Sequence, residues 1–234
     1  MLPFCLTSAS QFRPPAPPAP DSPEARAERE TVARLGGKNS TIRTAQETES
    51  ARFWSDFSYT STPPGHWNAI ARDLSVKNKL SLPQSAALFA RLNLALADAG
   101  IACWEAKYFH NHWRPLTALR ADGGATAEWT SLLPSPSHPE HVSGHSTFSA
   151  AAAVILTKTF PAKDLQIEVR SDTLPGVVRH YRSFQDGVTE IGHSRILGGI
   201  HFPSADTEGQ RLGQRVGKAV LEAWEKSMST VSKP

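Results

Sequence analysis

Residues 86–109, AALFARLNLALADAGIACWEAKYF, are apolar nearly all the way round a helical wheel. Such a segment is buried only if other helices wrap it, so it predicts a central core helix. The pattern runs from about 84 to 112, with Ser85 near the start. Arg91, Asp98 and Glu105 recur every seven residues and share one polar stripe, while Lys107 projects from nearly the opposite side. Pro115 closes the element, because its ring disfavours helix in the residue before it.

Helical patterns recur on both sides of this segment. They cover 24–35, closing at Gly36-Gly37; 43–57, anchored by Phe53, Trp54 and Phe57; and 66–74, after a turn at Pro63-Pro64-Gly65. Downstream lie an alanine-rich helix over 146–160, a helix over 183–197 stopped by Gly198-Gly199, and one over 205–228 whose apolar face is Val216, Val220 and Trp224. Residues 120–142 read as polar loop and 161–182 as loosely patterned. Alternation of period two is scarce, so the expected fold class is all-α, a helical bundle. Six prolines in residues 13–23 make the N-terminal part an extended strap. The expected organisation is a strap over 1–25, a helical domain over 26–228 and a disordered tail over 229–234.

Composition excludes several classes. With 39% apolar and 20% charged residues the 234-residue chain is ordinary globular. The run of apolar residues that a membrane span needs is not reached. The start, MLPFCLTSAS, lacks a positive n-region, so a soluble, cytoplasmic location is the default expectation. The net charge of +3 is spread without a basic stripe or a recognisable module, which argues against nucleic acid as partner. A homo-oligomer is left open. Cys103 lies in an apolar segment far from Cys5, so both are expected as free thiols.

Three stretches carry chemistry. In Lys107-Tyr-Phe-His-Asn-His-Trp-Arg114-Pro115 two cations stand seven apart, and on one helix would share a face about 10 Å apart, able to clamp an anion. Taken alone, a solvated basic patch is the favoured explanation. Ser143-Gly144-His145 leads into the alanine-rich helix, whose N-terminus offers free N–H groups, a hydroxyl and an adjacent acid–base. An ordinary serine cap is the plain alternative. Ser194-Arg195, five residues, then His201 adds a third cation and an imidazole, with Gly198-Gly199 letting the chain turn back. A rival grouping, His138, His141 and His145, has zinc-like spacings. Pro139 and Gly144 make a helix through it improbable, so zinc is the minor reading.

The combined order (Lys, six residues, Arg-Pro; Ser-Gly-His; Ser-Arg, five residues, His) resembles the signature of the vanadium-dependent haloperoxidases and type 2 phosphatidic acid phosphatases. The stretch from Ile42-Arg43-Thr44 to Trp67-Asn68 and Trp113-Arg114-Pro115 look like the soluble bacterial haloperoxidases, and the likeness spans about 30–217. The resemblance implies vanadate as cofactor, held by Lys107, Arg114, Ser143, Gly144 and Arg195. His201 would bond vanadium, and His145 would be the acid–base, so that His145, His201 and Lys107 form the catalytic set. Hydrogen peroxide, a halide and a small organic acceptor would be the reactants. In the phosphatase alternative, phosphate takes vanadate's place and His201 is the nucleophile; a second alternative is a degenerate anion-binding protein. His138, seven before His145, implies bromide or iodide over chloride. Two departures stand out: Val142 precedes Ser143 where proline is usual, and Ala205 stands where an aspartate four after His201 is usual. Asp206, one further on, is the candidate to orient His201 in its stead. The chain is expected to lack the N-terminal part of such proteins.

Overall fold

The computed structural model describes residues 1–160 and 165–231. Among the described residues eight α-helices and one hairpin follow in chain order: α1 (Pro23–Leu35), α2 (Ala45–Phe53), α3 (Thr62–Lys77), α4 (Leu82–His110), α5 (Pro115–Asp122), α6 (Gly144–Thr159), β1 (Ile167–Arg170), β2 (Val178–Tyr181), α7 (Phe184–Leu197) and α8 (Pro203–Val231). The helix bundle is the expected one, and α8 runs past Met228 to Val231; of the expected tail, 232–234 lie outside the described residues.

Helix α4 is the core. Leu88, Leu92, Ala95, Ala99, Cys103 and Ala106 are wholly buried, and the helix packs on both α6 and α8. Among the described residues Leu82–Asp122 is the one stretch long and apolar enough, by length and composition, to cross a membrane. Here its buried face meets other helices, while Tyr108 and Phe109 stand at the surface. The polar stripe seen in the sequence has a structural use: Asp98 accepts from the backbone N–H of Phe4 and Cys5, both at 2.7 Å. Glu105 pairs with Arg13, whose guanidinium lies 3.6 Å from the Phe109 ring centroid. The strap is thus laced along α4. Asp98→Ala removes two charge-assisted hydrogen bonds and is expected to cost about 2 kcal/mol. A lower Tm with rapid proteolysis inside residues 1–22 checks this; a strap that stays protected would refute it.

Helices α6 and α8 make the closest pair. Gly209 of α8 faces Ser143 and Thr147, Gly213 faces Thr147 and Ala150, and Gly217 faces Ala151 and Val154. The positions advance together, so the two helices run parallel and begin at the same end. A Cβ on Gly213 would sit 2.2 Å from the Thr147 carbonyl, so only glycine permits this approach. At the shared end the Ser143 N–H donates to Ala205 O at 2.9 Å.

Proline explains where the helices differ from expectation. Helix α3 starts at Thr62, with Pro63-Pro64 in its first turn instead of a turn before it. A missing N–H costs nothing there. Likewise Pro115, read as the end of an element, opens α5, which runs to Asp122 and into the stretch expected as loop from 120. Antiparallel β1 and β2 form a small hairpin within the stretch without a clear pattern; Ile167 and Val169 point inward. Both cysteines are free, and Cys103 is buried.

Candidate active site

Four segments converge at the common end of α6 and α8. Lys107 lies in the last turn of α4, but it does not share a helical face with Arg114. Asn111 adopts the left-handed conformation (φ 48°) and ends α4, and Arg114 caps the start of α5. The chain reversal brings the cations together instead. Lys107 Nζ is fully buried and donates to the carbonyls of Pro139 (3.0 Å) and Glu140 (2.9 Å). Arg114 donates from Nε to His138 O and from Nη1 to Ile200 O, each at 2.8 Å. Arg195, on α7, donates to the Ser55 and Ala51 carbonyls at 3.4 and 3.3 Å, and its Nε is buried without a partner.

Ser143 caps the head of α6, accepting from the Ser146 N–H at 3.3 Å. Gly144 follows as the first helical residue, against Trp104. His145 Nε2 lies 3.0 Å from Arg195 Nη1. A guanidinium can only donate, so that nitrogen is an acceptor and the ring is neutral. Burial, then the charges of Arg195 and His201, hold His145 well below its ordinary pKa.

His201 is held from both sides. Arg114 Nη1 donates to its Nε2 at 3.1 Å, which again makes that nitrogen the lone-pair atom. Its Nδ1–H then donates to Glu140 Oε1 at 2.8 Å. Asp206, the sequence candidate for this role, does not fill it. Its Oδ1 accepts from Ser146 Oγ (2.7 Å) and Gln210 Nε2 (3.0 Å), so it braces Ser143 through Ser146 and leaves His201 to Glu140. The helical turn of α8 carries Asp206 to the α6 side.

Sequence reasoning missed two carboxylates. Glu140 is fully buried. Burial alone would raise its pKa, but donors from His112, His201 and the Phe202 N–H hold it well below the usual carboxylate range. Its position between two histidines in His-Pro-Glu-His was the available signal. Asp56, also buried, bonds His66 Nδ1 at 3.1 Å and lies 4.0 Å from His145 Nε2. Nothing in its local sequence marks it. His138 stacks on Trp104 (5.1 Å between centroids) and accepts from Arg114 Nη2 at 3.1 Å. Burial, then Lys107 and Arg114, lower its pKa to about 4, so it too is neutral near pH 7. The zinc grouping does not form. His138 faces Trp104, His141 faces Pro15 O and His110, and His145 faces Arg195. Among the described residues no three ligating side chains gather as a metal site.

The site therefore carries three buried cations against two carboxylates, at the positive ends of two helices. Burial lowers all three cations, to about 8 for Lys107 and about 10 for Arg114 and Arg195. Cations destabilised in this way, one with an idle N–H, suit a compact multivalent anion.

Known proteins resemble the chain in sequence and in fold. Residues 87–230 match the family described as the VCPO second helical-bundle domain. The vanadium chloroperoxidase of Curvularia inaequalis is 31% identical over 208 residues, covering 71% of this chain and 34% of that protein. A solved structure described as the first bacterial vanadium-dependent iodoperoxidase superposes with TM-score 0.85 at 32% identity, over 94% of this chain and 55% of that one. A bacterial vanadium-dependent chloroperoxidase shares the fold, with TM-score 0.76 at 21% identity, over 96% and 53% of the two chains. The chain spans about a third of the curated relative and about half of these structures. With the family model covering residues 87–230 and a helical bundle that superposes on a 32% identical relative, the chain belongs to the vanadium haloperoxidase superfamily.

Proposed function

We propose that this chain holds vanadate and oxidises a halide with hydrogen peroxide, giving a halogenating species that acts on a small organic acceptor. The observation that carries the reading is a set of three buried cations, Lys107, Arg114 and Arg195, beside two imidazoles, with Arg114 keeping the His201 Nε2 free of a proton and Arg195 against His145. The unpartnered Arg195 Nε is a donor in want of an oxyanion, so the residues fit the group.

Lys107, Arg114 and Arg195 would balance the charge of vanadate, with Ser143 Oγ and the Gly144 N–H as neutral donors, and His201 Nε2 would be the ligand to vanadium. Bound there, vanadate supplies a Lewis acid that polarises peroxide without changing oxidation state. His145, neutral and beside Arg195, is placed to take a proton from incoming peroxide and return it to departing water. Asp56, 4.0 Å from the same ring, favours the protonated form once it arises. His138 and Trp104 form one wall near Arg114, and a neutral, polarisable wall of this kind favours bromide or iodide over the more strongly hydrated chloride.

The test is bromination and iodination of a phenolic dye with peroxide, with and without vanadate, beside hydrolysis of a chromogenic phosphate ester. Vanadate-dependent halogenation, faster with iodide and bromide than with chloride, is expected. Ester hydrolysis inhibited by vanadate, without halogenation, would instead make the chain a phosphatase working through His201. A folded protein with neither activity would leave an anion-binding protein.

A further inference from the structure

We propose that Glu140 is the positioning residue of this site: its carboxylate, brought by the loop before α6, fixes His201 as the Nδ1-protonated tautomer and aims Nε2 at the anion. The inference rests on the reading of the site as one that holds vanadate. Ala205 has no polar side chain to offer His201, and Asp206 is turned onto Ser146 and Gln210. Glu140 Oε1 instead accepts from His201 Nδ1 (2.8 Å) and from the Phe202 N–H (2.9 Å), and Oε2 accepts from His112 Nδ1 (3.2 Å). Three donors therefore lock the carboxylate, and the carboxylate locks the ring. A buried carboxylate is strongly destabilising unless donors satisfy it, so its presence behind one imidazole is a constraint on that imidazole. The same residue also sets the first cation, because its main-chain oxygen takes Lys107 Nζ at 2.9 Å. A negative charge behind Nδ1–H makes Nε2 a stronger electron donor, toward vanadium or toward phosphorus alike.

Two readouts test this, neither of them turnover. One is the 15N spectrum of the labelled histidines in the ligand-free protein; the other is equilibrium binding of vanadate. In the parent, His201 is expected as a single Nδ1–H tautomer. Glu140→Ala leaves Arg114 alone to hold the tautomer, so the Nδ1 resonance should shift as its acceptor is lost and vanadate binding should weaken about 10–100-fold. Glu140→Gln keeps an oxygen for the ring but no charge, so the tautomer should persist while affinity falls about tenfold. Glu140→Asp should restore part of the loss. If the alanine variant does not fold, the glutamine and aspartate variants decide through affinity. A folded alanine variant with an unchanged His201 spectrum, or alanine and glutamine variants binding vanadate within twofold of the parent, would overturn the assignment. A parent that takes up no vanadate would defeat the functional reading, while the spectra would still decide Glu140.

Discussion

Lys107→Met is expected to weaken oxyanion binding by about 10²–10³-fold, the scale of losing one preorganised charged donor in a water-poor site. Stability should change little, within about 2 kcal/mol, because two opposed effects meet. The variant leaves the Pro139 and Glu140 carbonyls without their donor, yet it also removes a cation whose burial is costly. The cost shows in the lysine's pKa, lowered by burial to about 8. That fixes a pH dependence. In the anion-free protein Lys107 loses its proton as pH rises through about 8, whereas a bound anion favours the charged form. Above this pH binding must take up a proton, so affinity should fall from about pH 8 upward and level off once the bound form also deprotonates. Calorimetry with sulfate or tungstate, which keep one charge over this range, reads the effect. Between about pH 7 and 9, below the range where Arg114 and Arg195 lose charge, the methionine variant should show a flat profile, and a flat profile in the parent would refute the role given to Lys107.

The second large effect is on stability. Gly199→Ala should cost about 3 kcal/mol and displace His201, two residues along the chain. Gly199 has φ +74°, a region where a Cβ is penalised, and the added Cβ would lie 2.3 Å from the Gly36 carbonyl oxygen. That oxygen is itself engaged by the Leu132 N–H at 2.9 Å, so it cannot move without breaking a bond elsewhere. Denaturant titration gives the loss. A midpoint unchanged in the alanine variant would mean the Gly36–Gly199 contact is looser than described.

How far the sequence was readable follows from the physics of each residue. Helices α4 and α6 announced themselves, because a run apolar all round has one stable destination. The Ser143 cap and the two cations were visible as chemistry. Their route to one another was not: a seven-residue spacing suggested a shared helical face, where the left-handed Asn111 and a new helix at Pro115 do the work. Proline was read as a stop and proved twice to be a start, since its preference is for a helix's first turn as well as against its interior. Glu140 and Asp56 were hidden for another reason. A buried carboxylate is chosen by partners from distant segments, and local pattern carries none of that. The hairpin was missed because two four-residue strands are too short to impose an alternation.

The parallel run of α6 and α8 has a further consequence. Neighbouring helices more often lie head to tail, so that their peptide dipoles cancel; here both point the same way, and their fields add at a single spot. The glycine seam that lets the axes approach also keeps this alignment from relaxing. The potential that greets an incoming anion is therefore set when the chain folds, and no backbone dipole has to turn when the ligand arrives.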